Sequence, residues 1–83
     1  MNRDRKHILQ RLNQIFIEVF DDFAINLSER TTAADIDGWD SIMHISLVVT
    51  IEKEFGLRLN AAEVGRLQDV GAMIDILVER ATK

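Results

Sequence analysis

The chain has 83 residues, 47% of them apolar and 29% charged, and a formal net charge of −4. That length predicts one small domain whose core hides about 60% of the unfolded surface, with the apolar content of a folded rather than a disordered chain. The lack of cysteine excludes disulfide frameworks and zinc-thiolate sites. No apolar run approaches the roughly 20 residues of a membrane span, and the basic start, Met1 to Lys6, runs into a charged amphipathic pattern unlike a signal peptide. A cytoplasmic protein is therefore expected.

The absence of proline and the presence of only four glycines favour helices. A first helix is predicted over 4–20, where Ile8, Leu9, Leu12, Ile15, Phe16, Val19 and Phe20 fall within an arc of about 140°. Ile17 lies outside that arc and is expected to be exposed, and His7 reads as surface. Residues 21–40 are rich in turn and capping types, from Asp21 and Asp22 through Thr31, Thr32, Asp35 and Gly38. Phe23, Ile25, Leu27 and Ile36 are scattered among them and are expected to pin this loop to the core. So long a loop in so small a domain is usually functional; its length suggests that its flanking helices are not simple hairpin neighbours.

A second helix is predicted over 41–55. Asp40 is a good N-cap, and Gly56 suits the left-handed position past the C-terminus. Ile42, Ile45, Leu47, Val48, Val49, Ile51 and Phe55 cover more than half its circumference, which marks it as the central helix. The remaining arc of about 100° holds Met43, Ser46, Thr50, Lys53 and Glu54 and is expected to face solvent and partners. Leu57 and Leu59 follow as an extended pair. Asn60 to Glu63 has the form of a capping box and opens a short helix to about Gly65. Asp69 caps a last helix over 70–81, with a stripe of Val70, Met73, Ile74, Leu77, Val78 and Ala81; Ile76 lies off it. Arg80 and Lys83 suit the C-terminal macrodipole. The expected fold is all-α: one domain over 1–83, a small bundle of three main helices plus one short helix, with a long first loop.

Ser41 is the residue on which the functional reading turns. At a helix start it stands among unpaired N–H groups and the positive end of the dipole, where a phosphate ester is stabilised. A serine beside an aspartate at such a position is usually only a cap, so the motif alone is weak. Its setting is more specific. The run Gly38-Trp39-Asp40-Ser41-Ile42, followed by Leu47 and Ile51-Glu52-Lys53-Glu54-Phe55-Gly56, resembles the acyl carrier protein family, and the likeness extends over essentially the whole chain. In that family Asp-Ser-Leu or Asp-Ser-Ile opens the second helix, and an acid-rich segment ending in Phe closes it. The Trp before Asp-Ser and the His three residues after the Ser are similar to stand-alone carriers of specialised acyl or polyketide-like pathways.

The resemblance implies that a phosphopantetheinyl transferase moves 4′-phosphopantetheine from coenzyme A onto Ser41. The arm's thiol then carries acyl groups as thioesters between the active sites of loading and processing enzymes, and the protein is itself no enzyme. Asp40, Trp39, Ile42, Met43, Ser46, Thr50 and Glu54 are the residues expected to meet the transferase and other partners. Trp39 is more readily a hydrophobic staple against the helix's first turns. Ile45, Val48, Val49, Ile51, Leu59, Val64, Leu67, Ile74 and Leu77 are candidates to line a cavity for an acyl chain, or simply a packed core. Many fatty-acid carriers have acids where Met43 and Ser46 stand, which points away from the housekeeping role.

Charge narrows the partners. Residues 1–12 hold four basic side chains against one acidic, a surplus of +3, so the other 71 carry −7. An acidic body favours partners with basic or mixed docking surfaces and disfavours nucleic acid. No metal and no membrane are expected, and the protein is expected to act as a monomer. Asp40, Ser41 and His44 do not make a hydrolytic triad, since the wheel turns His44 inward and no oxyanion hole is suggested. Two carrier-free or variant readings stay open. One is an unmodified helical interaction module. The other is a peptidyl or aminoacyl carrier, whose usual Gly-Gly-x-Ser motif has Trp39 in place of its second Gly.

Overall fold

The computed structural model describes residues 4–65, 67 and 69–80. Helix α1 is Arg5–Phe20, α2 is Ser41–Phe55, α3 is Ala61–Gly65 and α4 is Val70–Arg80, with one 3-10 turn at Ala33–Asp35. The fold is all-α. The proposed contributions of Ala81 and Lys83 to the last helix lie outside the described residues.

The helix ends are set by local polar groups that answer the orphan N–H donors of each first turn. Asp4 caps α1 through the Lys6 amide, and Asp40 caps α2 through the Met43 amide at 2.9 Å. Asn60 and Glu63 exchange backbone-to-side-chain bonds at 3.1 and 2.9 Å, a reciprocal capping box for α3. Asp69 Oδ1 accepts from the Ala72 amide at 2.7 Å. Gly56 ends α2 at φ 67°, and Asp21 ends α1 in the same left-handed region at φ 51°. Asp69→Ala should therefore cost about 1 kcal/mol of stability, lowering the thermal midpoint by roughly 4–8 °C in a circular-dichroism melt.

The core unites Ile8, Leu12, Ile15 and Phe16 of α1 with Leu47, Val48, Ile51 and Phe55 of α2 and Val70, Met73, Ile74 and Leu77 of α4. The hub is α1, which packs along both α2 and α4. This corrects the expectation that α2 is central. Its apolar residues do cover most of its surface, but Ile42, Ile45 and Val49 are 74%, 64% and 45% exposed. An apolar side chain can be left outside when no element covers that face.

The α1–α2 loop has a definite path. Asn13 of α1 accepts from the Leu27 amide at 2.7 Å and donates to the Ile25 carbonyl at 3.4 Å. Beyond that point the chain crosses to the start of α4. There the Thr31 carbonyl accepts from the Val70 amide (2.9 Å) and the Glu29 carbonyl from the Gly71 amide (2.8 Å). Gly71 permits the approach, since a Cβ there would stand 3.0 Å from the Glu29 oxygen. Trp39 packs on Phe16 and Phe20 while Arg11 reaches Glu54 and lies over Phe55, so α1 and α2 run antiparallel. They are neighbours after all; the loop is long because it caps α4 on the way.

Other expectations are corrected here. Leu27 is buried and Ile25 and Ile36 half-buried, but Phe23 is 86% exposed and pins nothing. The Asp22 carboxylate accepts from the Ala24 amide at 2.9 Å, closing a tight turn that leaves Phe23 outside. Ile17 and His7, expected at the surface, are half-buried, as is Ile76 off the α4 stripe.

Arg5 ties α1 to both the loop and α4, donating to Glu29 and, at 2.7 Å, to Asp75. Its hydrogen bonds hold the Glu29 carboxyl below the usual carboxylate range. A carboxyl depressed in the folded state adds stability above its unfolded value and loses it as pH falls through the folded one. Both partners are exposed, so the contribution is small and screened by salt. The difference in thermal midpoint between wild type and Arg5→Met should narrow as pH drops below about 4, the ordinary glutamate range.

Candidate functional site

Ser41 is the first residue of α2 and is exposed. The backbone turns sharply into it: Gly38 has φ 85°, its carbonyl accepts from the Asp40 amide at 2.9 Å, and Asp40 is extended before the helix begins. Asp40 uses its side chain on the Met43 amide and its carbonyl on the His44 amide at 2.8 Å. The Ser41 and Ile42 amides remain among the first-turn donors that a helix cannot pair internally. A hydroxyl here is accessible and faces the positive end of a 15-residue helix.

Trp39 and His44 bracket that serine. The indole Nε1 donates to His44 Nδ1 at 3.0 Å, and the rings lie 6.0 Å apart at 18°. Trp39 also meets Phe16 edge-on at 5.3 Å. These are the positions just before the N-cap and four residues beyond it, the staple arrangement, here reinforced by a hydrogen bond. Because Nδ1 accepts, the ring proton is on Nε2, which faces the Val64 carbonyl at 3.4 Å. His44 thus turns toward α3, away from any base role at Ser41.

Two comparisons of the whole molecule bear on this site. The solution structure of the holo acyl carrier protein from Geobacter metallireducens superposes with a TM-score of 0.81 and 38% sequence identity, over 86% of this chain and 82% of that one. The chain belongs to the acyl carrier protein family. The crystal structure of the acyl carrier protein from Thermotoga maritima agrees, with a TM-score of 0.78 and 31% identity over 90% and 87% of the two chains. Curated acyl carrier proteins from Saccharopolyspora erythraea (26% identical, 92% of this chain and 80% of the relative) and Caulobacter vibrioides (29%, 88% and 94%) are also similar. No family model matches. Members of this family are carriers rather than enzymes. Among the described residues no cluster of three metal-ligating side chains occurs, and no helix is long and apolar enough to cross a membrane.

In this acyl carrier protein the outward strip of α2 differs from the one expected. Ile42, Ile45, Ser46, Val49 and Lys53 are exposed, while Met43 and Thr50 are half-buried. The strip is turned about 80° around the helix from the polar arc of the sequence. Thr50 spends its hydroxyl on the Ser46 carbonyl at 2.9 Å. Glu54 is exposed at the edge toward α1, where its carboxylate lies 3.4 Å from Arg11. Polarity misled the wheel because Leu47, Val48, Ile51 and Phe55 are the residues that α1 and α4 can cover.

The nine candidate lining residues do not stay together. Ile45 and Val49 are exposed and cannot line an interior. Val48 and Ile74 lie in the packed core, and Val64 is half-buried on α3. Ile51, Leu59, Leu67 and Leu77 do meet, joined by Met73 and Ile76, along an apolar seam with no room for a water-sized sphere. The sequence reading also left Glu52 without a role. Its carboxylate accepts from the Leu59 amide at 2.8 Å, fixing the strand-like turn between α2 and α3. The signal was there: an acid within the apolar arc, followed by an extended Leu-Arg-Leu whose amides need acceptors. Glu52→Ala should leave that amide unanswered and cost about 1–3 kcal/mol in a urea titration. The charge-conserving Glu52→Asp, one methylene shorter, tests whether reach or charge matters.

Proposed function

We propose that this acyl carrier protein is modified on Ser41 with 4′-phosphopantetheine, and that the arm's thiol carries acyl groups as thioesters among cytoplasmic enzymes. The observation that carries the reading is the exposed Ser41 hydroxyl opening α2 behind the Asp40 cap, in a chain of this family. The residues present suit the group. First-turn amides and the helix dipole favour a phosphodiester at this end, and the serine is exposed.

In the transfer, Ser41 Oγ forms a bond to the phosphorus of coenzyme A that bears the pantetheine chain. The phosphoanhydride bond breaks, adenosine 3′,5′-bisphosphate leaves, and the hydroxyl proton passes to a base of the phosphopantetheinyl transferase. Trp39 and His44 hold the turn in place while this occurs. Partners then dock on the outward strip of α2, with Ile42, Ile45 and Val49 as the apolar centre and Asp40 at the rim. Met43, Ser46, Thr50 and Glu54 flank that centre. A strip without acids at its centre suits an enzyme of a specialised acyl or polyketide-like pathway better than one that recognises a row of acids. Tethering raises the effective concentration of the cargo at each active site.

The test is an intact mass measurement after incubation with coenzyme A, magnesium and a broad-specificity phosphopantetheinyl transferase. Wild type should gain one phosphopantetheine group and Ser41→Ala none. An unmodified wild type that is folded by circular dichroism would leave a helical interaction module as the reading.

A further inference from the structure

We propose that the outward strip of α2 is self-complementary and pairs antiparallel with the same strip of a second copy of this chain, in a weak two-fold dimer. Ile42, Ile45, Val49 and Lys53 fall within an arc of about 80°, and all four are exposed. The first three are large apolar side chains that the fold leaves facing water.

The two ends of this strip carry opposite charge. At the head of α2 the exposed Asp37 and Asp40 stand beside Ser41. At the foot stands Lys53, about 18 Å along the axis from Ser41. Arg58, also exposed, joins it across a surface groove lined by Val49, Glu52 and Leu57. The acids at that end are engaged: Glu52 holds the Leu59 amide, and Glu54 faces Arg11 on the side toward α1. Asp37, Lys53 and Arg58 form no ion pair among the described residues, whereas Arg5, Arg11 and Arg80 each meet a carboxylate.

A strip with acids at one end, cations at the other and apolar residues between them fits a copy of itself when that copy is reversed. Setting Ile42 opposite Val49 of the second copy puts the two-fold axis beside Ile45 and Ser46. Lys53 and Arg58 then face the turn that holds Asp37 and Asp40 of the second copy, and symmetry repeats the contact. A parallel pairing sets like charges together at both ends and is disfavoured. One helix face is small beside the roughly 1,200 Å² at which stable interfaces begin, so the dissociation constant is about 0.1–1 mM. Granting the docking role given to this strip above, the second copy and an incoming enzyme compete for one surface. Ser41 lies under the foot of the second copy, so the dimer is a reserve, and the monomer expected from the sequence is the working form.

Sedimentation equilibrium of the unmodified protein, from about 0.02 to 2 mM, tests the dimer across that constant. Wild type should follow a monomer–dimer equilibrium. Asp37→Lys and Lys53→Glu, each confirmed as folded by circular dichroism, set like charges together at both ends of their own dimers. Each alone should associate about tenfold more weakly than wild type. An equimolar mixture of the two should recover to within about threefold of wild type, because the mixed dimer keeps one native end and pairs Lys with Glu at the other. Ile45→Glu, which brings a charge from each copy to the axis, should stay monomeric throughout. A wild type that is monomeric at the highest concentration overturns the dimer and reserves the strip for partner enzymes. A mixture that associates no more tightly than either variant alone overturns the antiparallel pairing. Modification of Ser41 is read separately by intact mass, so failure of the carrier reading leaves the sedimentation result standing.

Discussion

Phe16→Ala will lower the unfolding free energy by roughly 3–5 kcal/mol. Phe16 is fully buried, and its ring meets Phe20 at 5.6 Å and Trp39 at 5.3 Å. It thus joins the hub helix to the turn that presents Ser41. The cost has two parts, the lost transfer free energy of the ring and the cavity left between α1 and α2. A domain of this size is expected to hold only about 4–12 kcal/mol in all, so a large share of its stability goes with one side chain. Urea unfolding followed by circular dichroism and by Trp39 emission checks it. The two probes should coincide if the bundle unfolds as one unit. Phe20→Ala, at a half-buried position, should cost clearly less; equal costs would mean that the Phe16 site collapses around the void.

Ile45→Glu will slow the proposed phosphopantetheine transfer to Ser41 about tenfold or more, a loss of roughly 1.4 kcal/mol in the encounter with the transferase. Stability should stay within about 0.5 kcal/mol, as for most surface changes. Ile45 is 64% exposed and lies one turn beyond Ser41 on the outward strip, so an enzyme that reaches the serine must cover it. Covering it also desolvates any charge placed there. Met43→Glu, at a half-buried position off the strip's centre, should have a smaller effect on transfer and a larger one on stability. Because the strip is apolar at its centre, the wild-type rate should change little between low and moderate salt. A transfer rate for Ile45→Glu within twofold of wild type would remove this face from the docking surface.

Much of the architecture was legible in the chain because it is encoded by neighbours in sequence. Asp40, Asp69 and the Asn60–Glu63 pair each answer an amide three residues away, and Gly56 needs only its own backbone freedom. The period of Ile8, Leu12, Ile15 and Phe16 required no partner to be recognised. Ser41 at the head of a helix followed from the same local rules, and the acyl carrier resemblance gave it meaning.

What the sequence by itself determined, then, is where the helices begin and end, which face of α1 is apolar, and which serine heads α2. What only the tertiary structure decided is how α2 is turned and what the long loop does. A helix that is apolar on most sides has no preferred rotation of its own. The rotation is chosen by the surfaces α1 and α4 can cover, which sends Ile42, Ile45 and Val49 outward and draws Met43 and Thr50 in. The loop's course to Val70 and Gly71, the Glu52 bond to Leu59 and the His44 bridge to Val64 all join groups from different elements. No periodicity along the chain carries that information, because each bond exists only once the helices have packed.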